Sequence, residues 1–282
     1  MHTSLCSVDA IRAEYLGLLK KCLTRTLFPA SQIPASRVPL LRHNPLGKAL
    51  RALSRPLLHP IGLQLSGAYQ QETRAHGLDW PVEAETMIGT VRLDHLHTCV
   101  VSVLEERISG DFVEAGVWRG GACILMRALL KVYGETGRRV WAADSFEGLP
   151  KPDGRHRQDD GDRHWTYSDV LAVSLEDVQA AFARYGLLDD QVVFLKGWFK
   201  DTLPTAPIGA IAILRLDGDM YGSTMDALDA LYPKVSPGGY VVVDDYHSVA
   251  ACRQAVQDFR SRYGIVHPIQ QIDGSGTFWR IQ

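Results

Sequence analysis

The sequence has no Cys-x-x-Cys pair and no even set of cysteines; its five, Cys6, Cys22, Cys99, Cys123 and Cys252, are scattered singly along 282 residues. That spacing excludes a clustered cysteine–zinc site and a secreted disulfide framework, and a reducing cytoplasm is the expected compartment. An excess of charge of either sign is also missing. Lys and Arg total 30 against 32 Asp and Glu, a formal net charge of -2. No global field holds a polyanion, so nucleic acid is not an expected partner and a small molecule is. No apolar run is long enough to span a bilayer, and Asp9 and Glu14 interrupt the N-terminal stretch. Neither a membrane segment nor a signal-peptide core is expected. Acidic residues are absent from Phe28 to Gln71, where Arg37, Arg42, Lys48, Arg51 and Arg55 interleave with Pro34, Pro39, Pro45, Pro56 and Pro60. Such a segment is either a solvated arm or a lid or dimer arm that closes over a ligand.

What is present is patterned. Apolar residues recur at helical spacing in Val8 to Leu23, and again in Met87 to Arg107 through Ile88, Val91, Leu93, Leu96, Val100 and Leu104. From Asp111 the period changes. The short apolar runs DFVEAGV, RRVWAADSF, QVVFLKG, GAIAILRLD and GGYVVVDDY alternate with the helical stretches GGACILMRALLKVYG, SLEDVQAAFARYG and STMDALDALYPKV. Strands alternating with helices predict a doubly wound α/β fold, a parallel sheet covered on both faces. The last stretch, GIVHPIQQIDGSGTFWRIQ, reads as an antiparallel hairpin on the sheet edge.

In such a sheet, ligands bind at the carboxyl ends of the strands. The first of these ends is VEAGVWRGGACIL, with Glu114 on the strand, Gly116 in the turn and Gly120-Gly121 opening the helix. Glu-x-Gly-x-x-x-Gly-Gly is not the glycine spacing of a dinucleotide fold, and a carboxylate beside the loop disfavours a diphosphate. Glu114 suits a cationic group, such as the amino group or sulfonium of S-adenosylmethionine; the alternative is a turn that only packs strand against helix. Asp144 lies at the interval where a carboxylate accepts ribose hydroxyls, and Ser145 to Gly148 can close over a nucleoside.

Two further strands end on acids. Asp217 follows Ile211 to Leu216, and Asp244-Asp245 follow Val241, Val242 and Val243. If the strands are neighbours, three carboxylates converge, and a divalent hard cation of the Mg²⁺ type offsets their repulsion. The alternative is a set of capping or solvent-facing acids. Asp219 reads as a helix-capping acid, and His247 as a ligand, a base or neither. His95, His97, His156 and His164 have no partner spacing. Trp198 and Phe199, beside Asp201, are an adenine platform or a piece of core.

The motifs ETMIGTVRLDHLHTC, FVEAGVWRGGACILMRALL, WAADSFEGLPKPD, KGWFKDTLP and LRLDGDMYGSTMDALDALYPKVSPGGYVVVDDY, in this order, resemble the macrocin O-methyltransferase family. The resemblance implies a Rossmann-like class I methyltransferase sheet over residues 85–282, with residues 1–84 as an N-terminal helical arm or lid. It also implies transfer of a methyl group from S-adenosylmethionine, with Mg²⁺, to a deoxysugar hydroxyl of an antibiotic such as tylosin, mycinamicin or novobiocin, by a homodimer. In this likeness Thr86 and Met87 touch the methionine end of the donor. Glu114, Ala115, Gly116, Val117 and Trp118 form the donor loop. Asp144, Ser145, Phe146 and Gly148 take the ribose side, Asp201 belongs to the same pocket, and Asp217, Asp244 and Asp245 bind the metal, with Asp217 as the base. A catechol-like aromatic diol as acceptor, and a nucleoside- or metal-binding protein without chemistry, are the alternatives.

Overall fold

The computed structural model describes residues 7–28, 33–34, 66–67, 70–79, 81 and 83–282. Most of the basic, proline-rich segment, and with it the expected arm or lid, lies outside the described residues. The chain divides into two compact units, Met1–Leu93 and Asp94–Gln282.

In the first unit, helix α1 (Val8–Leu23) starts on Ser7, whose hydroxyl accepts from Ala10 N at 3.2 Å, and buries Leu16, Leu19 and Leu23. Arg74 is fully buried, and its guanidinium donates to Asp79 Oδ1 at 2.7 Å and to the carbonyls of Met87 and Ile88 at 2.6 and 2.7 Å. A buried guanidinium needs such partners, and these fix the path of residues 85–88.

Helix α2 (Thr90–Glu105) crosses the division between the units. Seven strands then form one sheet: β1 (Asp111–Ala115), β2 (Val140–Asp144), β3 (Val192–Lys196), β4 (Ile211–Leu216), β5 (Val235–Val243), β6 (Gln270–Gln271) and β7 (Thr277–Arg280). Their spatial order is β3-β2-β1-β4-β5-β7-β6. The first five in that order are parallel; β7 runs antiparallel to β5 and pairs with β6 as the expected edge hairpin. β1, β2 and β4 read as continuous apolar runs because both of their faces are covered. The connections are α3 (Gly121–Val132), α4 (Leu175–Arg184), α5 (Tyr221–Leu231) and α6 (Ala250–Arg262). α6 is absent from the reading of the sequence. It is strongly polar overall, but Cys252, Ala255, Val256 and Phe259 give it one buried stripe at helical spacing. That stripe joins Met225 and Leu228 of α5 in the core under Leu214, Leu216, Val241 and Val243. No helix of the described residues is long and apolar enough to cross a membrane.

Candidate active site

Strand register places the site. Ala115 pairs with Ala143 and with Leu216, and Leu216 pairs with Val243. Gly116, Asp144, Asp217 and Asp244, each the residue that follows or closes its strand, therefore lie along one rim. The ladder continues one step past the strands, through Gly116 N to Ala143 O at 2.9 Å, Asp217 N to Ala115 O at 2.8 Å and Asp244 N to Leu216 O at 2.9 Å. The order of the sheet switches direction between β1 and β4, so this rim flanks the crevice where open α/β sheets bind ligands.

Asp217, Asp244 and Asp245 converge there, each with a carboxylate oxygen within 4.8 Å of the others. Beneath them lies a residue that sequence reasoning missed, Arg215 on β4, which is 2% exposed. Its Nη1 donates to Asp217 Oδ2 at 2.9 Å, and its Nη2 to Asp244 Oδ1 at 2.6 Å. Nη1 also pairs with Glu114 Oε1, and the second oxygen of Glu114 accepts from Cys123 Sγ at 2.8 Å. Glu114 and Arg215 are cross-strand partners of β1 and β4, so the sheet pleat turns both to the same face. The signal in the sequence is a charge inside each of two aliphatic runs, VEA and LRL, where only a paired charge is stable.

The acids carry the marks of a crowded, partly desolvated cluster. Burial, then the charge of Asp244, raises the Asp217 carboxyl above the usual range, with Arg215 pulling it down. Burial and the charges of Asp219 and Asp217 push Asp245 well up. Asp219 rises to about 7 through burial and the neighbouring Asp217 charge, and its backbone takes the left-handed region at φ 54°. Burial raises Glu114 to about 7 against the attraction of Arg215. Three oxygen donors suit a hard divalent cation, and Asp245 Oδ2 is buried without a hydrogen-bond partner among the described residues, so these residues fit Mg²⁺.

The neighbouring loops are tied together by Asp144. Its Oδ2 accepts from Val117 N at 2.7 Å and its Oδ1 from Phe146 N at 2.8 Å. Ser145 Oγ donates to Gly148 O at 2.8 Å and accepts from Glu147 N at 3.0 Å, while Trp118 Nε1 donates to Val170 O at 2.8 Å. Trp118, Phe146 and Asp219, one in each of three rim loops, all have positive φ without being glycine. Such strain persists where surrounding contacts over-determine it, and it clusters at functional sites.

Other expected residues make local contacts of their own. Thr86 and Met87 belong to the first unit, where Thr86 Oγ1 accepts from Ile88 N at 3.2 Å. Asp201 is exposed and pairs with Lys200 at 2.8 Å. His247 is exposed, with its ring against Tyr246. A second missed residue is Asp159, in the long connection after β2. It is buried, and its two oxygens accept from Tyr221 N and Gly222 N at 2.8 Å each, capping α5 from 62 residues away. Arg155 in the same connection donates to both oxygens of Asp226 at 3.0 Å.

A seven-stranded sheet of this order, five strands parallel and an antiparallel hairpin at one edge, is the class I methyltransferase fold. Its overall match to the O-methyltransferase NovP is a TM-score of 0.82 at 41% identity, covering 96% of this chain and 99% of that one. The chain belongs to the macrocin-O-methyltransferase (TylF) family, whose model matches residues 12–281. It is 57% identical over 215 residues to the 8-demethyl-8-(2,3-dimethoxy-alpha-L-rhamnosyl)-tetracenomycin-C 4'-O-methyltransferase of Streptomyces olivaceus, covering 76% of this chain and 82% of the relative. It is 51% identical over 225 residues to the mycinamicin III 3''-O-methyltransferase of Micromonospora griseorubida, covering 79% and 88%.

Proposed function

We propose that this O-methyltransferase uses Mg²⁺ and S-adenosylmethionine to methylate a deoxysugar hydroxyl of a glycosylated antibiotic. The observation that carries this reading is the convergence of Asp217, Asp244 and Asp245 at the rim of the sheet, in a chain whose relatives are named for glycoside acceptors. Asp217, Asp244 and Asp245 would hold the cation. When bound, the cation supplies Lewis acidity toward the acceptor hydroxyls, and the donor supplies an electrophilic methyl. Asp217 takes the hydroxyl proton on its carboxylate as the oxygen becomes a nucleophile. The Gly116 to Trp118 loop and the Ser145 to Gly148 loop, joined through Asp144, hold the donor side in fixed orientation, and alignment of the reacting atoms supplies most of the rate gain. Thr86, Met87 and Asp201 complete the donor pocket in this reading, and residues 1–84 form an arm or lid ahead of the catalytic domain, 85–282.

The reading extends to a homodimer in the cytoplasm. α1 exposes Val8, Ile11, Tyr15 and Leu18, a seam spaced alternately three and four residues apart, which suits a second copy of the chain. Cys22, Cys99, Cys123 and Cys252 are all free thiols, in keeping with a reducing compartment. Light scattering gives the mass of the assembly.

Product analysis by mass spectrometry tests the acceptor class. Enzyme, S-adenosylmethionine and Mg²⁺ are incubated in turn with a demethyl deoxysugar glycoside, its sugar-free aglycone and a catechol. A singly methylated glycoside, with the methyl on the sugar, is the expected product; methylation of the aglycone or the catechol alone overturns the sugar assignment.

A further inference from the structure

We propose that Arg215 is the positioning residue of the carboxylate cradle, and that Glu114 serves as its counter-acid and makes no contact with the methyl donor. The proposal rests on the cation-dependent reading above and deepens it.

The two terminal nitrogens of one planar guanidinium reach two different strand ends, Nη1 to Asp217 at 2.9 Å and Nη2 to Asp244 at 2.6 Å. One oxygen of each carboxylate is thereby held in a plane set by β4, which is buried along its whole length. A rigid fork fixes direction as well as charge; a lysine in the same place supplies a point charge on a flexible stem. The arrangement also settles a problem of repulsion. Glu114, Asp217, Asp244 and Asp245 bring four carboxylates together, two buried and two half-buried, and Arg215 touches three of them. It offsets part of their repulsion and leaves enough negative charge for a divalent cation to remain attracted.

Glu114 is turned into the protein, toward Arg215. It is 1% exposed, and each of its oxygens has a partner inside the protein, Oε1 with Arg215 and Oε2 with Cys123 Sγ. Its cross-strand register with Arg215 shows why the two charges stand in adjacent strands. Together they act on the metal ligands from below, as the hydrogen-bonded partners of metal ligands do elsewhere.

The test uses the full chain with Mn²⁺ as a paramagnetic probe, read by electron paramagnetic resonance, and S-adenosylmethionine binding read by calorimetry without metal. Circular dichroism checks the fold of each variant. Arg215→Lys keeps the charge and removes the fork. The expected result is Mn²⁺ binding weakened by about 10- to 100-fold, with donor affinity within about twofold of wild type. Glu114→Gln removes the counter-charge and keeps the shape, and it decides the matter where Arg215→Lys does not fold. Its expected result is Mn²⁺ affinity lowered several-fold with donor affinity unchanged, because the freed guanidinium then competes harder for Asp217 and Asp244. Mn²⁺ binding in Arg215→Lys equal to wild type overturns the positioning role. Donor binding lost in Glu114→Gln with Mn²⁺ unaffected returns Glu114 to the donor site and overturns its assignment as counter-acid. Wild-type protein that binds no Mn²⁺ removes the cradle itself, and this proposal with it.

Discussion

Gly116 runs so close to Asp217 that a Cβ built on it would lie 1.9 Å from the Asp217 carbonyl oxygen, and its φ of 92° already favours glycine. The Gly116 to Trp118 loop and the carboxylate cluster therefore share a backbone contact. Gly116→Ala is expected to lower stability by about 1–3 kcal/mol and to displace Asp217, reducing methyl transfer more than donor binding. Urea denaturation and steady-state rates measure the two effects; a fully active, equally stable variant contradicts the contact.

Asp245 illustrates a site that works against the fold. Burial and the charges of Asp219 and Asp217 raise its carboxyl well above the usual range. The sign follows from linkage: as pH rises above the ordinary carboxylate range, the unfolded chain gives up this proton while the folded chain retains it, so stability falls. Asp245→Asn is expected to raise the stability of metal-free protein near neutral pH by about 1 kcal/mol while lowering methyl transfer by about 100-fold or more. Thermal melts with a chelator present, paired with activity assays, give both numbers.

Asp159 caps α5 across a long stretch of chain, through Tyr221 N and Gly222 N at 2.8 Å each. Asp159→Ala leaves both donors without this acceptor and frees the connection that Arg155 also anchors. A loss of about 1–2 kcal/mol is expected, measured by urea denaturation. Limited proteolysis should place new cleavage between β2 and α4.

Burial lowers the imidazole of His95 to about 4, against the pull of Asp273, and its ring lies 4.2 Å from that of Phe278. A group depressed in this way is protonated more readily in the unfolded chain. Its contribution to stability is complete above its ordinary value near 6.5 and is lost as pH falls toward 4. His95→Phe keeps an aromatic ring against Phe278 and removes the titration. The fall in stability between neutral and mildly acid pH should then be smaller than in wild type, by on the order of 2 kcal/mol.

Much of the sheet was legible because its signals are local. An apolar run that stops on an acid, as Ile211 to Leu216 and Val241 to Val243 do, marks a buried strand and its carboxyl end, and this brought out Asp217, Asp244 and Asp245 together. Register was not legible, and register makes Glu114 and Arg215 a pair. Along one strand Glu114 suggested a ligand contact; its pairing with Arg215 across two strands left no local mark. Nor were the bonds of Asp144 legible, whose two oxygens accept backbone N–H groups from two loops. α6 escaped because its polar residues outnumber a narrow apolar stripe, and Asp159 because its partners lie 62 residues further on. Long-range pairing leaves little trace in a single sequence.

The most direct measurement is the initial rate of methyl transfer from S-adenosylmethionine to a demethyl deoxysugar glycoside, taken with a chelator and again after Mg²⁺ is restored. The account predicts no turnover with the chelator and full recovery on adding Mg²⁺, with Asp217→Asn inactive under both conditions. An undiminished rate in the chelator would contradict the role given to Asp217, Asp244 and Asp245.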